Sequence, residues 1–199
     1  MRTFSFVGMA AGLFLAACGA SQEVSRNAPS RIQLPDGMVV AGAEGWCIDE
    51  STSRASGGTS VVVLGSCAAI AGDALRARPE VPGVVTVSVE AEGGALPDSE
   101  TLEAFFTSDA GRAVLAQDGQ AKSVAILETQ RQEGLLFLHA SDASAAPGAS
   151  NEIWRALFGL GGRFVAISFY SRLEDGIDPE DGLATLIAHV EELRAANRG

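Results

Sequence analysis

Arg163-Phe164-Val165-Ala166-Ile167-Ser168-Phe169-Tyr170-Ser171 is apolar on both of its strand faces, with Phe164, Ala166 and Tyr170 on one and Val165, Ile167 and Phe169 on the other. Successive strand residues point to opposite sides, so this segment belongs centrally in a sheet. Upstream, Glu152–Phe158 forms the first arm of a hairpin whose turn is Gly159-Leu160-Gly161-Gly162. That glycine string lacks the spacing of a phosphate-binding loop and joins two strands instead of opening a helix. Before it, Lys122–Thr129 and Leu135–Ala140 make another hairpin around Gln130–Gly134, where Gly134 supplies the positive φ. Gly83–Glu90 alternates, with Val85, Val87 and Val89 against Thr86, Ser88 and Glu90, as a half-buried strand does. Further strands are expected at Gly37–Ala41, Gly45–Asp49 and Ser60–Leu64.

Helices frame these strands. Ala68–Leu75 reads as a short Ala-rich helix. Asp98 or Ser99 caps a helix with Leu102, Phe105 and Phe106 on its apolar stripe; a break at Ser108-Asp109 starts another, ended by Asp118-Gly119. The last helix has the clearest signals: Asp178 as cap, Pro179 first, Glu180 and Asp181 at the positive end of the dipole. Its stripe is Leu183, Leu186, Ile187, Val190 and Leu193. The expected class is α+β: a mostly antiparallel sheet of five to seven strands, helices packed on one face, and a long C-terminal helix. This order of elements resembles the Mog1/PsbP-like fold.

The compartment is read from Leu15-Ala16-Ala17-Cys18, which closes an apolar run that follows Arg2. The run from Phe4 to Leu15 is shorter than the about 20 residues a bilayer-spanning helix needs, and its form is that of an export signal. The four residues resemble the lipobox of bacterial lipoproteins, which implies cleavage before Cys18 and lipidation of its thiol. An ordinary secretory signal with a chance cysteine is the competing reading. The polar stretch from Gly19 to Gln33, with no apolar periodicity, favours a lipid tether. The expected organisation is a signal at 1–17, a tether at 18–35 and one periplasmic domain at 36–199. Gly19 in place of an aspartate resembles lipoproteins of the outer membrane.

Composition restricts the partners. The formal charge of −11 repels nucleic acid and anionic headgroups, so the membrane is reached through the N-terminal lipid and no nucleic-acid partner is expected. Lys122 is the only lysine, and with so much Ala and Gly the Arg-rich remainder reflects composition bias. With Cys18 lipidated, Cys47 and Cys67 remain as a pair in an oxidising compartment. They lack the C-x-x-C spacing of redox or metal pairs, so a structural disulfide is expected. The strings Gly45-Trp46-Cys47-Ile48-Asp49 and Leu64-Gly65-Ser66-Cys67-Ala68-Ala69 resemble a group of uncharacterised alphaproteobacterial lipoproteins, over most of the chain. Some members carry the label "cation transport ATPase", yet this chain has no Asp-Lys-Thr-Gly site, P-loop or transmembrane bundle.

Few residues suggest chemistry. His139 shares a strand face with Leu135 and Phe137, and could meet Glu128 and Arg155 from adjacent strands; a satisfied core histidine is the competing reading. His189 sits beside the terminal helix's stripe, at its margin. Glu174, Asp175, Asp178, Glu180 and Asp181 do not fit a calcium-loop register, and capping explains the last three. Ser66 has no nominated base, no G-x-S-x-G is present, and Trp46 and Trp154 are read as packed core, with exposed anchors at an interface as the competing reading. No cofactor and no metal are expected. Two functions remain: a lipid-anchored, non-enzymatic binding or assembly module with an envelope protein partner, or a periplasmic small-molecule binder or weak hydrolase near His139.

Overall fold

The computed structural model describes residues 27–56, 58–91, 96–146, 150–171 and 176–198. In chain order the strands are β1 (Arg31–Gln33), β2 (Val39–Ala41), β3 (Trp46–Ile48), β4 (Arg54–Ser56) and β5 (Thr59–Ser66), followed by helix α1 (Cys67–Ala71) and β6 (Gly83–Glu90). Helices α2 (Ser99–Thr107) and α3 (Asp109–Leu115) precede β7 (Val124–Gln132), β8 (Leu135–Asp142), β9 (Glu152–Leu160) and β10 (Arg163–Ser171), and α4 (Pro179–Ala196) follows. The main sheet runs β3-β5-β6-β10-β9-β8-β7, with β4 alongside β5, while β1 and β2 form a separate pair. Every described pairing is antiparallel. The doubly apolar strand β10 occupies the middle, as its sequence requires.

The turns follow their glycines. Leu160 and Arg163 are the last pair of the β9–β10 hairpin, so Gly161 and Gly162 alone turn the chain, at φ 57° and 73°. Two successive positive φ values match the right-handed twist of the flanking strands. The helix starts match their caps too. The Asp98 side chain accepts from Thr101 N–H, Ser108 Oγ from Gly111 N–H, and Asp178 from Glu180 N–H, with Pro179 opening α4.

Helices cover both faces of the sheet, which corrects the expectation of one. Val62, Leu64, Val85, Val87, Phe137, Trp154, Ala156, Val165, Ile167 and Phe169 form a core with Leu186, Val190 and Leu193 of α4. The opposite side of β7–β9 presents Val124, Leu136, Leu138, Ala140 and Leu157, which Leu102 and Phe106 of α2 and Leu115 cover. The cause is in β8: Leu135 to Leu138 is apolar at four successive positions, so both sides of that strand must leave water.

The domain also begins earlier than expected. Residues 28–35 are part of it and not tether: Ala28 and Leu34 are buried, Ile32 packs on the main core, and β1 pairs with β2. A three-residue strand is too short to show periodicity. The β1–β2 pair leans on the free side of α4, where Asn197 Oδ1 accepts from Val39 N–H at 2.9 Å and Nδ2 donates to Val39 O at 2.7 Å. Cys47 and Cys67 are disulfide-bonded with Cα atoms 4.7 Å apart, tying β3 to the start of α1. No helix among the described residues is long and apolar enough to cross a membrane.

Candidate functional site

His139 is placed by the register of three strands. It lies opposite Glu128 on β7 and opposite Trp154 on β9. A bulge at Leu127 breaks the β7 register and turns Glu128 to the side of the sheet that carries α4. The imidazole stacks on the Trp154 indole, centroids 4.3 Å apart and planes within 12°. Its Nε2 lies 3.6 Å from Glu152 Oε2, and both atoms are buried without a hydrogen-bond partner in the described structure. Gly182 brings α4 onto the indole, since a Cβ there would fall 2.4 Å from Trp154 Nε1.

Of the three residues expected to converge, two do. Glu128 and His139 border one small cavity with Trp154, Pro179, Leu183 and Leu186. Arg155 is on the other face, opposite Leu138 and Ser168. Alternation forces this: Trp154 faces α4, so its neighbour cannot. Glu152, two residues before Trp154, takes the place expected of Arg155. The apolar pattern starts this strand at Glu152 but does not say which of its residues face His139; the register that pairs His139 with Trp154 decides that. The cavity is about 20 Å³, room for one water-sized group. His139 and Glu152 could exchange a proton, but no organic substrate fits between them.

A second histidine is more deeply placed than its sequence suggests. His189 is 1% exposed instead of marginal to the stripe. Its ring meets Trp46 edge-on at 5.2 Å, and its Nδ1 lies 2.9 Å from Thr185 O. A carbonyl only accepts, so Nδ1 carries the proton and donates. Burial holds the imidazolium pKa below the usual histidine range, against the opposing pull of the Thr185 bond. The ring is therefore neutral, and Nε2, which has no partner, is a bare acceptor. His189 and Trp46 border a cleft of about 450 Å³ between α4 and residues 43–46 and 78–81.

No family model, curated protein or solved structure matches this chain. Its own geometry must carry the reading. Trp46 and Trp154 are core residues, 4% and 2% exposed. Ser66 stands at the start of α1 without a side-chain cap bond. Asp178, Glu180 and Asp181 open α4, and no three His, Cys, Asp or Glu side chains gather around a metal position among the described residues. Leu15–Cys18, with the lipidation expected at Cys18, lies outside the described residues, as do Glu174 and Asp175.

Proposed function

We propose that the protein is a membrane-anchored envelope lipoprotein: a non-enzymatic binding module that Cys18 lipidation holds at the periplasmic face. The observation that carries this reading is Leu15-Ala16-Ala17-Cys18 at the end of an apolar run, ahead of a disulfide-bonded domain. Acyl chains contribute about 0.8 kcal/mol per buried methylene, so two or three of them hold a domain firmly. Residues 19–27 then serve as the tether, shorter than its sequence suggests. A disulfide between Cys47 and Cys67 fits an oxidising compartment.

The site geometry supports binding over catalysis. Among the described residues, the cavity beside His139 and Glu152 has room only for a water-sized group. Leu96, Phe105 and Val114, on the side of the sheet that carries α2 and α3, are 41%, 42% and 63% exposed, and supply apolar surface for a protein partner. Crosslinking of the full-length protein in intact cells, with Cys18→Ser as the mislocalised control, tests the reading. A stoichiometric partner present in the wild type and lost in the control is expected. Equal recovery of nothing from both samples would remove the assembly role.

A further inference from the structure

Leu75 stands at the tip of an ordered turn. Gly72, at φ 65°, ends α1, and Arg76 N–H then donates to Asp73 O at 3.2 Å, which closes the turn over Ala74 and Leu75. Ala68 of α1 holds both flanks. Its carbonyl accepts from Asp73 N–H at 3.0 Å, and its N–H donates to Ala77 O at 3.2 Å. Asp73 Oδ1 accepts from Leu75 N–H at 3.0 Å, so that carboxylate is engaged on the turn's own backbone. Beside Ala68 is Cys67, half of the disulfide.

This platform keeps an apolar side chain in water. Leu75 is 96% exposed, against 63% for Val114, the next highest of the described large apolar residues. A loose loop could fold such a leucine back onto the surface to bury it. A turn pinned on both flanks to α1 holds it out.

The chain that leads to Cys18 leaves the domain at the same place. Arg76 Nη1 donates to Ala28 O at 3.4 Å, and Ala28 packs with Cys47, Cys67 and Ala71. Ala28 lies ten residues after Cys18, a length that spans about 35 Å at most. A domain of about 170 residues has a radius of gyration of about 15 Å and hence a diameter of about 40 Å. The tether is shorter than the domain is wide, so the side that carries Ala28 and the turn stays toward the lipid. Arg76 is exposed and, among the described residues, in no ion pair.

We infer that the 73–76 turn is the membrane-facing tip of the domain, with Leu75 entering the headgroup–acyl boundary of a phospholipid bilayer and Arg76 meeting its phosphates. The inference rests on the anchored reading proposed above and adds a second contact that orients the domain. Leu75 leaves water for the acyl boundary. Arg76 has N–H groups beyond the one given to Ala28 O, and these suit phosphate oxygens. The overall charge of −11 turns the acidic remainder of the chain away from an anionic surface.

Spin-label accessibility tests this on the full-length lipidated protein in vesicles of phosphatidylethanolamine and phosphatidylglycerol. With Cys18 lipidated and Cys47 bonded to Cys67, Ala74→Cys supplies a free thiol for a nitroxide and leaves Leu75 in place. Leu127→Cys, on β7 at the opposite edge of the main sheet from β3, is the comparison. Collision with oxygen relative to a water-soluble nickel chelate should be several-fold higher at position 74 than at 127. Leu75→Asp, at a side chain that packs on nothing, should bring the two level. The inference is overturned if protein that floats with the vesicles gives the same ratio at both positions, if 127 is the lipid-facing one, or if Leu75→Asp changes nothing. Protein that does not float refutes the anchor and the docking with it, whereas floating protein with a water-exposed label at 74 refutes the docking alone.

Discussion

Gly182→Ala should destabilise the protein, although alanine is the better helix former. In an exposed helix interior the exchange gains about 1 kcal/mol. Gly182 is in the first turns of α4, but it is buried, and the added Cβ would lie 2.4 Å from Cε2 and Nε1 of Trp154 and 2.8 Å from Cδ1. The indole cannot step aside cheaply, because it is 2% exposed and stacked on His139. Normal carbon contact needs about 3.5 Å, so helix and ring must separate by about 1 Å. Overpacking of this kind costs about 1–3 kcal/mol. Set against the gain in helix propensity, the net loss is about 1 kcal/mol. Urea denaturation at constant slope gives the number, and Gly182→Ala in a Trp154→Leu background separates the two effects. In that background the clash is removed and alanine should become neutral or favourable. If Gly182→Ala alone raises the midpoint, the close packing of α4 on Trp154 is wrong.

Other outcomes follow from the same packing. Reduction of the Cys47–Cys67 bridge, which closes a separation of 20 residues, should lower stability by about 3 kcal/mol, read as a fall in Tm with reductant. Stability should also fall with acidification below about pH 6.5. His189 has a lowered folded pKa, so the unfolded chain binds the proton more readily; the contribution is complete above the unfolded value and is lost as pH drops from there through the folded one. His189→Leu should flatten that part of the profile. Asp142, 1% exposed, accepts from Gln117 N–H at 2.7 Å and from Ser144 N–H and Oγ at 2.8 and 2.6 Å. Burial pushes its carboxyl up, but these bonds prevail and hold it below the usual range. Asp142→Ala should therefore cost about 3 kcal/mol by denaturant titration, through loss of charge-assisted bonds that fix the start of the loop after α3. Asn197→Ala should cost about 1–2 kcal/mol, since its amide ties the end of α4 to both backbone groups of Val39.

Regular elements were readable because their signals are local. β6 alternates cleanly and spans the residues its pattern marks, and β10 is central because both of its faces are apolar. Asp98, Ser108 and Asp178 cap the helices their sequence contexts indicate. What the chain hides is register and relative placement. Whether Arg155 or Glu152 meets His139 turns on a one-residue shift of the β8–β9 register, which pairs His139 with Trp154, while the bulge at Leu127 decides only that Glu128 joins that face. Placing the helices on both faces required reading Leu135 to Leu138 as apolar at every position instead of as alternating. His189 looked marginal because a helical wheel shows only the stripe that meets the main sheet. Trp46, the first residue of β3, comes from far earlier in the chain and lies against the flank of α4, which burial of His189 against that ring requires.

The anchored-module reading is tested most directly at the chain's lipid attachment. Intact protein from membranes of the producing cell would be digested, and the N-terminal peptide identified by mass spectrometry. The expected peptide begins at Cys18 and carries a diacylglyceryl thioether and an N-acyl group, both abolished by Cys18→Ser. A peptide with an unmodified Cys18 thiol, or one still continuous with Ala17, would contradict the reading.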